Sequence, residues 1–282
     1  MSCRSYLFVP ADSARKLAKA VESGADALIL DLEDAVAPAN KAAARAEAAG
    51  FLAQTLPMKR YVRVNGLSTG LTEEDVATTV AAAPDGYVLP KCEGPADIEA
   101  LSALISRFGG SEKIGIIAIG TETVRGLRRL MREDWSHSRL SALTWGGEDL
   151  AADMGAERNR DEAGDYLGPF LMARDMTLLA AVEAGVAAVD AVFTDFRDEA
   201  GLLREARLAK TLGFSGKMAI HPAQVPVIHA AFRPEPAEVD WARAVIAALE
   251  AASEGVASLN GMMLDRPHLI RARKILERQA RS

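Results

Sequence analysis

The sequence predicts an α/β protein, a TIM-type (β/α)8 barrel with a C-terminal helical extension. Three observations carry that prediction. Eight short runs rich in Val, Ile and Leu recur up to residue 222, and a longer stretch of helical character follows each. The runs are nearly continuous in apolar residues, as strands of a parallel sheet covered on both faces are. Too few residues remain for a second α/β domain, and barrels of about 250 residues form single domains. An open doubly wound sheet is the alternative. It is disfavoured because the first strand runs into VPADSARK, which has no G-x-G-x-x-G phosphate turn.

The predicted strands are SYLFVP (5–10), ALILDLED (27–34), RYVRVN (60–65), GYVLPK (86–91), KIGIIAIGTE (113–122), LSALTWGGEDL (140–150), AAVDAVFTD (187–195) and KMAIHP (217–222). The first helix is predicted from Ala14, Leu17, Ala18 and Val21 at i, i+3, i+4, i+7, with Asp12 or Ser13 as its N-cap. Gly24, Gly185 and Gly213 stand where helices should stop before the next strand. The barrel is expected to occupy 1–232 and the extension 233–282, packed on the barrel or on a neighbouring subunit. In that extension a Pro-rich link, RPEPAE (233–238), precedes a helix carrying Trp241, Ala244, Val245, Ala248 and Leu249 on one face. A Gly-containing loop, GVASLNGMMLDRP (255–267), and a basic terminal helix follow.

With 282 residues, 49% of them hydrophobic, the chain buries a large core and needs no disulfide or structural metal for stability. Its two cysteines, Cys3 and Cys92, build neither a disulfide framework nor a cysteine zinc site. A net charge of −6 argues against a nucleic-acid partner. MSCRSYLFVPADS lacks the layout of a signal peptide, and no apolar run is long enough to span a bilayer. A cytoplasmic protein with no membrane partner is expected.

Barrel enzymes place their chemistry at the C-terminal ends of the strands. The polar residues there are Asp31, Glu33 and Asp34, then Arg63 and Asn65, Lys91, Glu122, Glu148 and Asp149, Asp195, and His221. Carboxylates gathered at one mouth repel one another unless a cation sits among them. Glu122 and Asp149, on adjacent strands, are candidate ligands of an octahedral Mg2+, with Mn2+ as its substitute. The absence of a His/Cys cluster disfavours zinc. The competing reading is that these acids cap helices or pair with Arg and Lys. Arg63 suits a bidentate grip on the carboxylate of a small keto or hydroxy acid; a structural pair with Asp31, Glu33 or Asp34 is the alternative, and the two are compatible. Lys91 is a candidate Schiff-base nucleophile, but an acidic rim would keep it protonated and unreactive.

Taken together, RSYLFVP, GADALILDLEDAV, RVNG, LPKCE, TETVRGL, GGEDLAADMG and GKMAIHPAQV resemble, in order and spacing, the citrate lyase beta-subunit family of the HpcH/HpaI aldolase superfamily. The resemblance spans residues 4–276. It implies a TIM barrel assembled as a homotrimer or hexamer, and Mg2+ on Glu122 and Asp149. It implies Arg63, with backbone amides near Asp149 and Leu150, holding oxaloacetate, pyruvate or glyoxylate. The implied reaction is reversible carbon–carbon cleavage of a 3-hydroxy-3-carboxyacyl-CoA thioester such as citramalyl-CoA or malyl-CoA. A thioesterase or synthase outcome, or an acyl carrier protein in place of CoA, is the alternative. GMMLDRPHLIRAR resembles the C-terminal segment from which malyl-CoA lyases bring a catalytic aspartate into a neighbouring subunit, so Asp265 is the candidate acid–base; capping of the last helix is its alternative role. Phe8 and Lys19 match the positions of CoA-binding groups. Ser13 stands where those relatives carry an arginine, which weakens the CoA assignment. DLEDAV carries no His, unlike the pyruvate-aldehyde aldolases of the superfamily.

Overall fold

The computed structural model describes residues 3–252 and 255–280. Within it the chain divides into two compact units, Met1–Ile228 and His229–Ser282. The first is a closed barrel of eight parallel strands in sequence order, with the first strand paired to the last. The strands are β1 Ser5–Pro10, β2 Ala27–Asp31, β3 Lys59–Arg63, β4 Gly86–Leu89, β5 Gly115–Ile119, β6 Leu140–Thr144, β7 Ala187–Asp190 and β8 Gly216–Ala219. The helices outside them are α1 Ala14–Val21, α2 Lys41–Leu52, α3 Thr72–Thr79, α4 Pro95–Arg107, α5 Val124–Leu130, α6 Gly147–Met154, α7 Gly168–Glu183, α8 Glu199–Leu212 and α9 Gln224–Phe232, the last running across the division between the units.

Every predicted strand is present, but most stop short of the predicted end. β2 ends at Asp31 because the Asp31 carboxylate accepts the Glu33 and Ala35 amides at 2.9 and 3.3 Å and turns the chain. The largest departure follows β6. Residues 147–150, expected as the end of a strand, open helix α6 instead. Gly146 is its extended N-cap, and Glu148 and Asp149 lie in the first turn, where acids favour the positive end of the helix dipole. α1 is capped by the Ser13 hydroxyl, which accepts the Lys16 amide. Gly24 and Gly185, at φ 72° and 69°, take the left-handed turns that end the preceding helices.

Strand alternation sorts each residue inward or outward. The lumen is filled by Tyr6, Ala27, Ile29, Tyr61, Val88, Ile117, Ile119, Ala142, Val189 and Met218, all buried, with Phe8 packed on them. Two steps along the same faces stand Asp31 and Arg63, paired in register with each other. They lie above the apolar plug, at the C-terminal mouth. The second unit holds α10 Pro236–Ala251, an antiparallel hairpin of β9 Ala257–Leu259 and β10 Met262–Leu264, and α11 Arg266–Gln279. Val239, Ala242, Val245, Leu264, Ala272 and Ile275 form its core. The segment expected as a loop is this hairpin. Asn260 and Gly261, at φ 50° and 79°, make the left-handed two-residue turn for which Asn-Gly is the strongest short signal. No helix among the described residues is long and apolar enough to cross a membrane.

Candidate active site

Arg63 anchors the mouth of the barrel. Its Nε and one terminal nitrogen fork onto the two Asp31 oxygens at 2.8 and 2.6 Å. The other terminal nitrogen lies 3.2 Å from Glu33, and the guanidinium lies over the Phe8 ring at 4.7 Å. Asp31 is 1% exposed, so the pair is held in a low-dielectric setting where its geometry is fixed. The structural pairing and the substrate-gripping role are compatible here. The fork uses one edge of the planar guanidinium and leaves another to meet an incoming carboxylate.

Glu33 continues the network. Lys91 Nζ reaches Glu33 Oε1 at 2.7 Å and lies 3.6 Å from Asp149 and 3.7 Å from Asp34. Burial opposes its charge, but the hydrogen bond to Glu33 and the surrounding carboxylates hold Lys91 well above the usual lysine value. A lysine so charged has no free amine pair with which to form a Schiff base. Lys91 is also one of three non-glycine residues with positive φ among the described residues, at 49°. That strained backbone aims its N–H at Glu122 Oε2.

Glu122 follows β5 and is 4% exposed. Burial, and next the Asp149 carboxylate, push it up to about 8, with Glu33 adding to the rise; the Lys91 amide and Arg63 pull the other way. A group charged at this cost calls for a cation. Three further features suit one. The donors are carboxylate oxygens, which hard divalent ions prefer. Glu33 Oε2 is buried and makes no hydrogen bond, meeting only the Arg63 ion pair. Gly146 leaves the room Glu122 occupies, since a Cβ there would fall 2.7 Å from Glu122 Cγ. No group of three His, Cys, Asp or Glu residues among the described residues forms a ready-made cage. The fit is therefore to an ion that takes two protein carboxylates and completes its shell with water and substrate, as Mg2+ does.

Asp149 projects from the first turn of α6 at 36% side-chain exposure, open to the mouth. Gly146 has no side chain with which to cap that turn. Helical register gives the Leu150 N–H an acceptor in the Gly146 carbonyl, so the amides of the first turn without a partner inside the helix are those of Gly147, Glu148 and Asp149. Leu150 itself is a buried core residue. Phe8 and Lys19, expected together at CoA, are apart. Phe8 faces the lumen beneath Arg63, and Lys19 lies exposed in the last turn of α1. Asp195 accepts the Arg197 amide at 3.0 Å and His221 Nδ1 accepts the Ala223 amide at 3.2 Å, so both serve local turns, and the His221 ring also stacks on Phe196 from the preceding loop. In the second unit, Asp265 is the N-cap of α11, with its Oδ1 2.6 Å from His268 Nδ1.

A closed parallel barrel whose C-terminal mouth joins a half-buried, forked arginine to two carboxylates suited to a hard cation belongs to a class equipped to hold a small acid beside a divalent ion. The chain belongs to the HpcH/HpaI aldolase/citrate lyase family, whose model matches residues 4–222. It is 36% identical to a (3S)-malyl-CoA thioesterase of Cereibacter sphaeroides over 97% of this chain and 93% of that protein. It is 34% identical to the mitochondrial citramalyl-CoA lyase of Mus musculus over 97% of this chain and 85% of that protein. The structure of protein CitE from Mycobacterium tuberculosis in complex with magnesium, acetoacetate and coenzyme A superposes with a TM-score of 0.85 at 35% identity, covering 98% of both chains.

Proposed function

We propose that this protein is a Mg2+-dependent carbon–carbon lyase that reversibly cleaves a 3-hydroxy-3-carboxyacyl-CoA, of the citramalyl-CoA or malyl-CoA type, into an acyl-CoA and a small 2-keto acid. One observation carries the reading: Arg63, fixed by Asp31, shares the mouth with Glu122 and Asp149. Glu122 and Asp149 are the residues that would hold the ion. When bound, it polarises the substrate hydroxyl and its neighbouring carboxylate and offsets charge on the oxygen that becomes the keto group.

The chain's own residues do the rest. Arg63 grips the substrate carboxylate, and Asp31 keeps the guanidinium plane from turning. The Gly147–Asp149 amides add donors at a helix N-terminus. In cleavage the bond between the α-carbon of the thioester and the carbinol carbon breaks. Its electron pair passes to the α-carbon, which takes up a proton, and the hydroxyl loses one. In this reading Asp265, reaching the mouth from a neighbouring subunit, is the donor to that carbon and, in condensation, the base that removes the same proton. The protein works as a homotrimer or hexamer in this reading.

The malyl-CoA thioesterase relative favours a second outcome on the same scaffold, hydrolysis of the thioester. A mass-spectrometric screen of CoA thioesters with glyoxylate, pyruvate and oxaloacetate, with and without Mg2+, tests both. A lyase interconverts acyl-CoA, keto acid and hydroxyacyl-CoA with no free thiol. A thioesterase liberates CoA, seen with a thiol reagent. Turnover that survives EDTA and is trapped by borohydride at Lys91 would overturn the metal reading.

A further inference from the structure

Behind the mouth, between β7, β8 and α8, lies a buried polar circuit that the reaction does not use directly. Lys217 on β8 is 0% exposed and gives its ammonium to Asp190 Oδ2, to the Ala191 carbonyl at 2.7 Å and to Glu205 Oε1 at 2.8 Å. All three of its donors are thereby placed. The remaining Asp190 oxygen accepts the Trp145 indole N–H at 2.8 Å. The Trp145 ring meets Tyr166 edge-on with centroids 4.9 Å apart. Tyr166 lies under the Arg160 guanidinium at 3.6 Å, and Arg160 returns to Glu205 at 2.7 Å. The ring is closed, and its two cations and two anions cancel.

Buried ion clusters of this kind are poor sources of net stability, because desolvation offsets their mutual attraction. Their geometric demand is high, since any one member displaced leaves its partners unsatisfied. What the circuit touches is therefore informative. Trp145 is followed directly by Gly146 and Gly147, and Asp149 lies one helical turn on. A Cβ at Gly147 would fall 3.3 Å from both the Trp145 and the Tyr166 rings. From the same loop as Tyr166, Asn159 donates to Glu148 at 2.7 Å. The start of α6 is thus seated on the two aromatic members of the circuit, while Gly146 on its other side abuts Glu122.

We propose that Trp145, locked by Asp190 and Lys217, is a positioning residue that sets the entry of α6 and so the placement of Asp149 opposite Glu122. The inference rests on the reading that these two carboxylates hold the divalent ion. Partners behind metal ligands commonly account for about ten- to a hundredfold in affinity.

The test is direct titration of the full-length protein with Mn2+, followed by electron paramagnetic resonance, alongside thermal melting in EDTA. Wild type, Trp145→Phe and Gly147→Ala are compared. Trp145→Phe removes the indole donor and keeps an apolar ring; Gly147→Ala presses a methyl on the same contact from the other side. Both are expected to bind Mn2+ about tenfold or more weakly per folded molecule; Trp145→Phe, which leaves a buried Asp190 oxygen without its donor, also melts lower in EDTA, whereas Gly147→Ala melts close to wild type. Two variants that bind Mn2+ as wild type does would overturn the proposal. So would a fall in metal-free melting temperature at unchanged affinity, which assigns the circuit to stability alone. A wild type that binds no Mn2+ refutes the two-carboxylate site itself, and the positioning role with it.

Discussion

Glu122 provides the sharpest test of the site, because its protonation and cation binding compete for the same oxygens. In the metal-free protein its pKa stands at about 8 against an ordinary 4.5. At pH 7 roughly nine in ten molecules then carry the proton, and it must leave before the carboxylate can serve a cation. Affinity for Mg2+ should therefore rise about tenfold per pH unit from pH 6 toward 8, worth about 1.4 kcal/mol per unit, and level off above it. Calorimetry in buffers of different ionisation enthalpy should count close to one proton released per ion at pH 6–7 and almost none at pH 9. Stability follows with a fixed sign. Because the folded-state pKa is raised, the metal-free fold is favoured below pH 4.5 and loses that stability as pH climbs through about 8. Saturating Mg2+ should flatten that slope in denaturant titrations. An affinity constant across pH 6–8, with no proton released, would refute the argument that burial and Asp149 together hold Glu122 neutral until the ion arrives.

Other perturbations have equally definite outcomes. Arg63→Ala leaves Asp31, 1% exposed, as a buried charge without its partner, and should cost about 3–5 kcal/mol in denaturant unfolding together with nearly all turnover. Gly146→Ala places a Cβ 2.7 Å from Glu122 Cγ and should weaken Mn2+ binding at least tenfold in direct titration, with the barrel's circular dichroism unchanged. Asp265→Asn should abolish proton exchange at the acyl-CoA α-carbon, read by deuterium incorporation, while Mg2+ affinity stays at the wild-type value; full exchange would remove Asp265 from the mechanism.

Much of this was legible in the sequence, and the failures share a cause. The eight strands were readable because buried parallel strands are apolar on both faces, a pattern that survives without tertiary context. The strand ends were not. DLED and WGGED continue an apolar run into polar residues, and only the Asp31 carboxylate turning back on Glu33 and Ala35, or a glycine taking an extended N-cap, decides where the strand stops. Asp31, Glu33 and Asp34 were all legible as partners for Arg63, but the choice of Asp31 for the fork depends on a register between two strands that spacing does not supply. The Trp145–Asp190–Lys217 circuit left no trace, because a lysine inside GKMAIHP reads as a strand-end charge until the outward face of β8 is known to be covered. The hairpin after α10 had its signal, Asn-Gly between short apolar triplets, and the glycine was read there merely as loop.

Charge at the mouth also orders the events of binding. Asp31, Glu33, Asp34, Glu122 and Asp149 face Arg63 and Lys91, so five carboxylates meet two cations. A keto acid approaching that rim brings a further negative charge into a pocket that already holds an excess of three. Arg63 cannot offset it alone, since one edge of the guanidinium is committed to Asp31 and another group faces Glu33. The proton on Glu122 lowers the excess by one, but it blocks the oxygen the ion needs. A divalent cation lowers it by two at the place where the repulsion is greatest, whereas monovalent salt merely screens the exposed part of the rim. Pyruvate or oxaloacetate should accordingly bind at least a hundredfold more weakly in EDTA than in Mg2+, with 0.5 M KCl failing to restore affinity, measured by calorimetry on the wild type. Comparable affinity in EDTA would mean that Arg63 and the α6 amides suffice to hold the anion, and that the acidic rim serves the fold rather than the ion.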